Sequence, residues 1–291
     1  MLNITAYHCP TTISEAGALL ADEGRAIIAG GTDLLVNPRY MVGVREVVDI
    51  RKLRLDYIHR QEDWLIIGAG TTMRTVARHP EVQALASGVL AQGAALCASP
   101  NIRNTATLAG NVASALPSAD TPPPLLTLDA QVVLVGTQGE RVVPLEQFFL
   151  GPGKSVCQRE MIRELRIPLE NTSAMCGGFY KIFRTAEDIS IVNAAASLVI
   201  HDGIITSARL VVGAVAPIPL RVRRAEEALV GRSPTEETLQ RAAEIARAET
   251  RPISDQRASA DYRRRVSGVA ALRALRQAAG LATMEPAWPH S

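Results

Sequence analysis

"NIRNTATLAGNVASALPSAD", residues 101–120, governs how the rest of the chain is read. It is too polar for a buried strand, and its glycine and proline content reads as loop rather than helix. It carries no metal-ligand spacing and no nucleophile–base pair. What it offers is small side chains, backbone amides and one terminal carboxylate, Asp120. Within it, "LAGN", residues 108–111, would let backbone approach a phosphate or a ring, with the Asn111 amide bonding a polar group. Asp120 stands just before three prolines that stiffen the exit. A carboxylate there suits a ribose or ribityl hydroxyl better than a phosphate, which it would repel. The competing reading makes Asp120 a helix cap for "PPLLTLDA".

A second small-residue stretch, "AGGTDLL", residues 29–35, follows the apolar run "RAIIAGG". Glycines there allow close backbone approach, successive N–H groups can form a concave anion site, and Thr32 adds a hydroxyl. An ordinary glycine turn is the alternative. "GAGTTM", residues 68–73, follows a strand and precedes a helix, as a dinucleotide fingerprint does. Met73 occupies the place of a third small residue, and no acid ends a second strand about 20 residues on, so it reads as a structural turn.

"FYKIFRTAEDIS", residues 179–190, holds Lys181, one of three lysines in the chain. A compact cation beside an electron-accepting ring would stabilise its reduced anion; a solvated strand-edge lysine is the alternative. His8, His59, His79, His201 and His290 form no ligand pattern. Cys9, Cys97, Cys157 and Cys176 are scattered without a CxxC, so they read as small, buried, reduced residues, with no metal site in this chain.

The 291 residues suffice for two or three packed units, and 47% hydrophobic with 21% charged content is ordinary for a globular protein. No apolar run is long enough to span a bilayer. The start, "MLNITAYHCPTT", lacks a basic region followed by an apolar one, which gives a cytoplasmic expectation. A net charge of +2 argues against a polyanion binder. Residues 221–276 hold thirteen arginines against eight acids, but only Tyr262 interleaves as an aromatic. Solvated helix faces explain that run better than a nucleic-acid surface, though its field would suit an acidic partner.

Periodicity divides the chain. Residues 1–55 read as helix, strand, loop and strand, with Ile13, Ala16, Leu19 and Leu20 on one helical face and Thr12 or Ser14 as cap; this favours a parallel unit. Residues 56–172 read as strand "DWLIIGAG", short helix "TTMRTVARHP", one longer helix "EVQALASGVLAQGAALCA", a hairpin turning near Gln138-Gly139, and strand "EMIRELRIP". Residues 175–280 read as three strands followed by helices near 220–230, 235–249 and 259–279, the last capped by Ser259 and stopped by Gly280. Residues 281–291 read as a flexible tail.

Together, "AGGTDLL", "NIRNTATLAGN" with Asp120 nine residues past Asn111, "FYKIFRTAEDISIV" and "SDQRASADYRRRV" resemble one family over about residues 1–280. It is the FAD-binding, or medium, subunit of molybdenum hydroxylases, a group that includes carbon monoxide, nicotine and nicotinate dehydrogenases and the flavin part of xanthine dehydrogenase. The resemblance implies an α+β chain with the vanillyl-alcohol-oxidase (PCMH) type of FAD-binding fold. That fold would comprise two α+β subdomains, 1–55 and 56–172, and a C-terminal α+β domain, 175–280, with a three-stranded antiparallel sheet and helices. It implies that loops 29–33 and 107–111 wrap the FAD pyrophosphate. The positions it marks for FAD are Ile28, Ala29, Gly30, Gly31, Thr32, Asp33, Leu34, Thr107, Leu108, Ala109, Gly110, Asn111 and Ala113, with Asp120 near the ribityl and ribose portion. Ile162 matches an apolar contact to FAD, and Lys181 matches a lysine near the isoalloxazine ring.

The same resemblance implies an oxidoreductase subunit that takes electrons from [2Fe–2S] clusters and passes them to an external acceptor. A small iron–sulfur subunit would carry two such clusters, a large molybdopterin subunit would hold the molybdenum cofactor, and the whole would be a dimer of heterotrimers. No catalytic side chain is expected on this chain. The alternative is a self-sufficient FAD-dependent oxidoreductase acting on its own organic substrate, which would need a base beside the flavin. Two departures stand out: many relatives have Gly-Gly where this chain has Ala109-Gly110, and the cysteine-rich insert of the benzoyl-CoA reductase branch has no counterpart in residues 111–130.

Overall fold

The computed structural model describes residues 4–170 and 174–281, so the tail expected at 281–291 lies almost wholly outside the described residues. The first sheet has three strands, β1 (Ala6–His8), β2 (Arg25–Ile28) and β3 (Glu46–Asp49), ordered β1-β3-β2 with both pairings parallel. α1 (Ile13–Leu19) makes the crossover, and Thr12 caps it by accepting from Glu15 N. The parallel unit matches expectation; β1 is an added strand, too short at three residues to show a period.

The second sheet is antiparallel throughout, in the order β4-β5-β10-β6-β7. Its strands are β4 (Ile58–Gln61), β5 (Trp64–Gly68), β6 (Gln131–Gly136), β7 (Gly139–Pro144) and β10 (Met161–Pro168); between the last two lie the small pair β8 (Phe149–Gly151) and β9 (Lys154–Ser155). The expected hairpin is β6–β7, turning between Gly136 and Gly139. Helices α2 (Met73–Arg78), α3 (Pro80–Ala84), α4 (Val89–Ala95), α5 (Pro100–Arg103), α6 (Leu108–Ala113) and α7 (Pro122–Thr127) pack beside it.

Two expectations fail in this region. The single helix over residues 81–98 is broken, because Ala86, Ser87 and Gly88 all take positive φ between α3 and α4. Residues 101–120 are not one loop: α5 and α6 are short capped helices, and Thr107 and Ser99 side chains supply the N-caps that make them stable despite glycine and proline. One contiguous apolar core includes residues from Ala16 to Ile167, so the first two units share their interior, and Met175, Phe179, Ala195 and Val211 of the C-terminal unit join it.

The C-terminal sheet has four strands rather than three: β11 (Met175–Ile182), β12 (Val192–His201), β13 (Ile204–Gly213) and β14 (Leu220–Arg221). The two-residue β14 pairs Leu220 with Val212 and Arg221 with Val211, a contact set by tertiary packing after Pro217 and Pro219. α8 (Arg223–Leu229), α9 (Glu236–Glu249) and α10 (Ala260–Ala278) cover it and bury a second, alanine-rich core. Ser259 caps α10 as expected.

β11 joins the two halves. A Cβ on Gly177 would lie 2.5 Å from Ala86 O, and one on Gly178 would lie 2.4 Å from Ala274 O. Successive strand residues face opposite sides, so one face of β11 presses on the α3–α4 break and the other on α10. Phe179 therefore enters the first core while Tyr180 and Ile182 pack on the second. Lys181, two residues beyond Phe179, is carried toward the first two units. Among the described residues no helix is long and apolar enough to cross a membrane. In the arginine-rich run, Arg264–Asp261 and Arg276–Glu236 are part-exposed ion pairs, in keeping with solvated helix faces. Arg263 on α10, by contrast, is buried, paired with Asp255 and donating to Ile191 O, and Arg221 on β14 is paired with the buried Glu226. The expectation therefore holds for only part of the run.

Candidate functional site

The first wall of the site begins where β2 runs into Ala29-Gly30-Gly31. Gly31 has φ +69, the left-handed region that glycine adopts without penalty, and it turns the chain off the sheet. Gly30 is required for another reason: a Cβ there would lie 2.1 Å from Thr105 O and 2.8 Å from the Thr105 carbonyl carbon. Leu35 N donates to Gly31 O at 3.0 Å and Asn37 N to Asp33 O at 2.9 Å, closing the turn. The amides of Gly30, Gly31 and Thr32 make no hydrogen bond among the described residues.

The second wall is the start of α6. Gly110 N donates to Thr107 Oγ1 at 3.0 Å, Leu108 N to Thr71 O at 3.0 Å and Asn111 N to Thr107 O at 3.1 Å. Ala109 N is left without a partner among the described residues. Tyr40 OH donates to Ser114 O at 3.2 Å and ties the two walls. The Asn111 side chain is partly spent inside the protein, since its Oδ1 accepts from Thr121 Oγ1 at 2.6 Å.

Between the walls lies a cleft of about 470 Å³, within the range of small-ligand sites. Ile28, Ala29, Gly30, Gly31, Thr32, Asp33, Leu34, Thr107, Ala109, Gly110, Asn111, Ala113, Asp120 and Ile162 all line it. Ile162 sits beside a bulge: Ile162 pairs with Leu134 and Glu164 with Val133, leaving Arg163 unpaired between them. The Arg163 carbonyl is free to accept from Ala69 N at 2.9 Å, which brings Ala69 to the cleft as well.

Leu108 and Lys181 do not line the cleft. Leu108 is fully buried and turns into the core. Lys181 stands behind the cleft wall, its side chain 1% exposed, with Nζ 2.7 Å from Asp120 Oδ2 and 2.9 Å from Leu96 O. A buried ammonium must be paired, and the partner it finds is Asp120. Asp120 Oδ1 also accepts from Ser190 Oγ at 2.5 Å and Asn193 Nδ2 at 3.0 Å. Asp120 is not a helix cap; Thr121 holds that position and α7 has no side-chain cap.

Tyr40, Ser118, Cys97 and the segment Glu187–Ile189, none of them among the expected cofactor contacts, also line the cleft. Only the last carried a signal, the acidic pair inside "RTAEDIS". Asp188 pairs with Arg184 at 3.1 Å, and Ile189 is 45% exposed at the rim. Of the cysteines only Cys97 is buried; Cys9 and Cys157 are half-buried and Cys176 exposed, and all four are free thiols. Burial pushes the Cys97 and Cys157 thiols up to about 12, so both stay neutral in the cleft. Among the described residues no three His, Cys, Asp or Glu side chains gather as a metal site.

The donor set fits FAD. Three successive unpartnered amides on the first wall and one, Ala109 N, on the second, with the walls held together where Gly30 meets Thr105, suit a diphosphate. The isoleucines at 28, 102, 162 and 189 give apolar contact for a ring, and Asp120 gives an acceptor for a hydroxyl.

Comparison with known proteins agrees. Residues 2–170 match the family described as the FAD binding domain in molybdopterin dehydrogenase, and residues 178–278 the CO dehydrogenase flavoprotein C-terminal domain. The chain is 33% identical to the xanthine dehydrogenase FAD-binding subunit of Escherichia coli O157:H7, covering 90% of this chain and 92% of that one. It is 30% identical to the carbon monoxide dehydrogenase medium chain of Hydrogenophaga pseudoflava, covering 94% and 96%. Among solved structures, carbon monoxide dehydrogenase from Hydrogenophaga pseudoflava superposes with a TM-score of 0.91 at 31% identity, over 97% of this chain and 100% of that one. Quinoline 2-oxidoreductase from Pseudomonas putida 86 superposes with a TM-score of 0.89 at 29% identity, over 97% and 99%. A chain whose two halves both match, and whose cleft is built for this cofactor, belongs to the FAD-binding medium subunits of the molybdenum hydroxylase family.

Proposed function

We propose that this chain is the electron-transfer flavoprotein of a heteromeric dehydrogenase, receiving electrons from [2Fe–2S] clusters on a small subunit and delivering them to an external acceptor. Substrate hydroxylation takes place on a large molybdopterin subunit, and the complex is a dimer of heterotrimers in the cytoplasm. Residues 1–55 and 56–172 hold the cofactor, and residues 175–280 cover it. The observation that carries this reading is a cleft furnished for binding rather than for proton transfer. Its unpartnered amides sit on two walls in contact, no histidine lines it among the described residues, and Asp120 is bonded to three donors.

When bound, FAD supplies two-electron acceptance and one-electron release. The chain's own part is to bind and position. Gly30, Gly31, Thr32 and Ala109 present N–H groups to the diphosphate, Asp120 accepts from a hydroxyl, and Ile162 and Ile189 shield the ring from water. The named relatives support the partner assignment, since they are described as subunits or chains of multi-subunit dehydrogenases.

The test is rapid mixing of the purified complex with its reductant while flavin bleaching is followed. Flavin that reduces only when the iron–sulfur subunit is present supports the proposal. Turnover of an organic donor by this chain alone would overturn it in favour of a self-sufficient oxidoreductase.

A further inference from the structure

Asp120 lies in the cleft, yet nearly everything that holds it comes from the C-terminal unit. Lys181 is on β11, Ser190 precedes β12, and Asn193 is on β12. All three are buried, as is Asp120 itself. Asn193 is fixed in turn: its Nδ2 also donates to Ala119 O at 3.1 Å, and this orients the amide with nitrogen toward the carboxylate.

A carboxylate has about four acceptor positions, two on each oxygen. Oδ1 is filled by Ser190 and Asn193, and Oδ2 holds Lys181. One acceptor position on Oδ2 therefore remains among the described residues. Lys181 also neutralises the carboxylate, so the pair carries no net charge. A free carboxylate in the same cleft would repel a ligand diphosphate. The neutral pair does not, and it still accepts from a hydroxyl.

Resting on the FAD reading above, we propose that Lys181, Ser190 and Asn193 are positioning residues. They hold Asp120 as a charge-neutral acceptor for a single hydroxyl of the flavin nucleotide, without touching the nucleotide themselves. Lys181 thus acts through Asp120 and not directly on the ring.

The experiment uses the full chain, stripped of flavin and titrated with FAD, by flavin fluorescence. It compares Lys181→Met, Asp120→Asn, the double variant and Ser190→Ala, with the thermal midpoint of each FAD-free protein measured alongside. Losing a hydrogen bond to a charged group corresponds to about a tenfold to a hundredfold loss of affinity. That is the expectation for Lys181→Met and Asp120→Asn singly. The double variant should bind FAD no worse than Asp120→Asn alone, because the lysine has then lost the group it acts through. Ser190→Ala, nearly isosteric, should weaken FAD less while leaving the FAD-free midpoint close to wild type, and it decides the matter if Lys181→Met does not fold.

Losses that multiply in the double variant, or wild-type FAD affinity in folded Lys181→Met or Ser190→Ala, would overturn the proposal. Failure of the wild-type chain to bind FAD, alone and with its partners, would instead overturn the FAD reading and this inference with it.

Discussion

At Gly30 the first wall of the cleft has no room for a methyl group, because Thr105 O would lie 2.1 Å away; at Gly110 the second wall has only the Thr107 hydroxyl in the way, at 2.9 Å. Both walls look alike in sequence, small residues with a threonine nearby. The first is an irregular turn that depends on absent side chains. The second is a helix start that depends on a present one, the Thr107 cap. A glycine is therefore informative only together with what its missing Cβ would strike.

That contrast can be broken by substitution. The largest effect is expected for Gly30→Ala. Relieving the overlap with Thr105 should cost about 1–3 kcal/mol, and if the walls part to do so, FAD affinity falls about fivefold to a hundredfold. Thermal unfolding and flavin titration check both. Next comes Thr107→Ala, which removes the cap and should cost about 0.5–2 kcal/mol of stability, read from denaturant midpoints. Gly110→Ala should be close to neutral, within about 0.5 kcal/mol of wild type, because helix propensity gained by alanine offsets crowding of Thr107. A large loss at Gly110 would erase the distinction between the walls.

The smallest effect concerns pH beneath the first wall. Burial works against the Asp49 carboxylate, but hydrogen bonds from Arg51 and Tyr7 outweigh it and hold its pKa at about 2, below the ordinary 3.8. A folded-state value lower than the unfolded one means stability that is present above about pH 4 and lost as pH falls toward 2. Asp49→Asn should flatten that part of the acid-unfolding curve, measured by circular dichroism. An unchanged slope would remove Asp49 from the account.

Much of this architecture is legible in residue order, and the exceptions share a cause. The parallel unit, the β6–β7 hairpin and the three C-terminal helices announce themselves through period, turn residues and caps. The break at Ala86-Ser87 does not, because left-handed backbone at non-glycine residues is imposed by packing, here against Gly177. β14 is missed because two residues have no period. In the cleft, contiguous motifs place the walls well. Tyr40 and Ser118 escape because nothing local marks them; Tyr40 owes its place to Ser114, 74 residues along the chain. Lys181 carries the right chemistry but a different address. Its charge suggests a flavin neighbour, while burial assigns it to Asp120.

The distances along the chain also set an order of events. Both walls belong to the first 113 residues, and their sheets close with β10 at Pro168. Asp120 acquires its donors only 61, 70 and 73 residues later. During synthesis, when domains complete from the N-terminus, the two walls can form while Asp120 is still without its donors. The Asp120 network is finished only when β11 and β12 have docked, so under the proposal above firm capture of the nucleotide would report that the last third of the chain is in place.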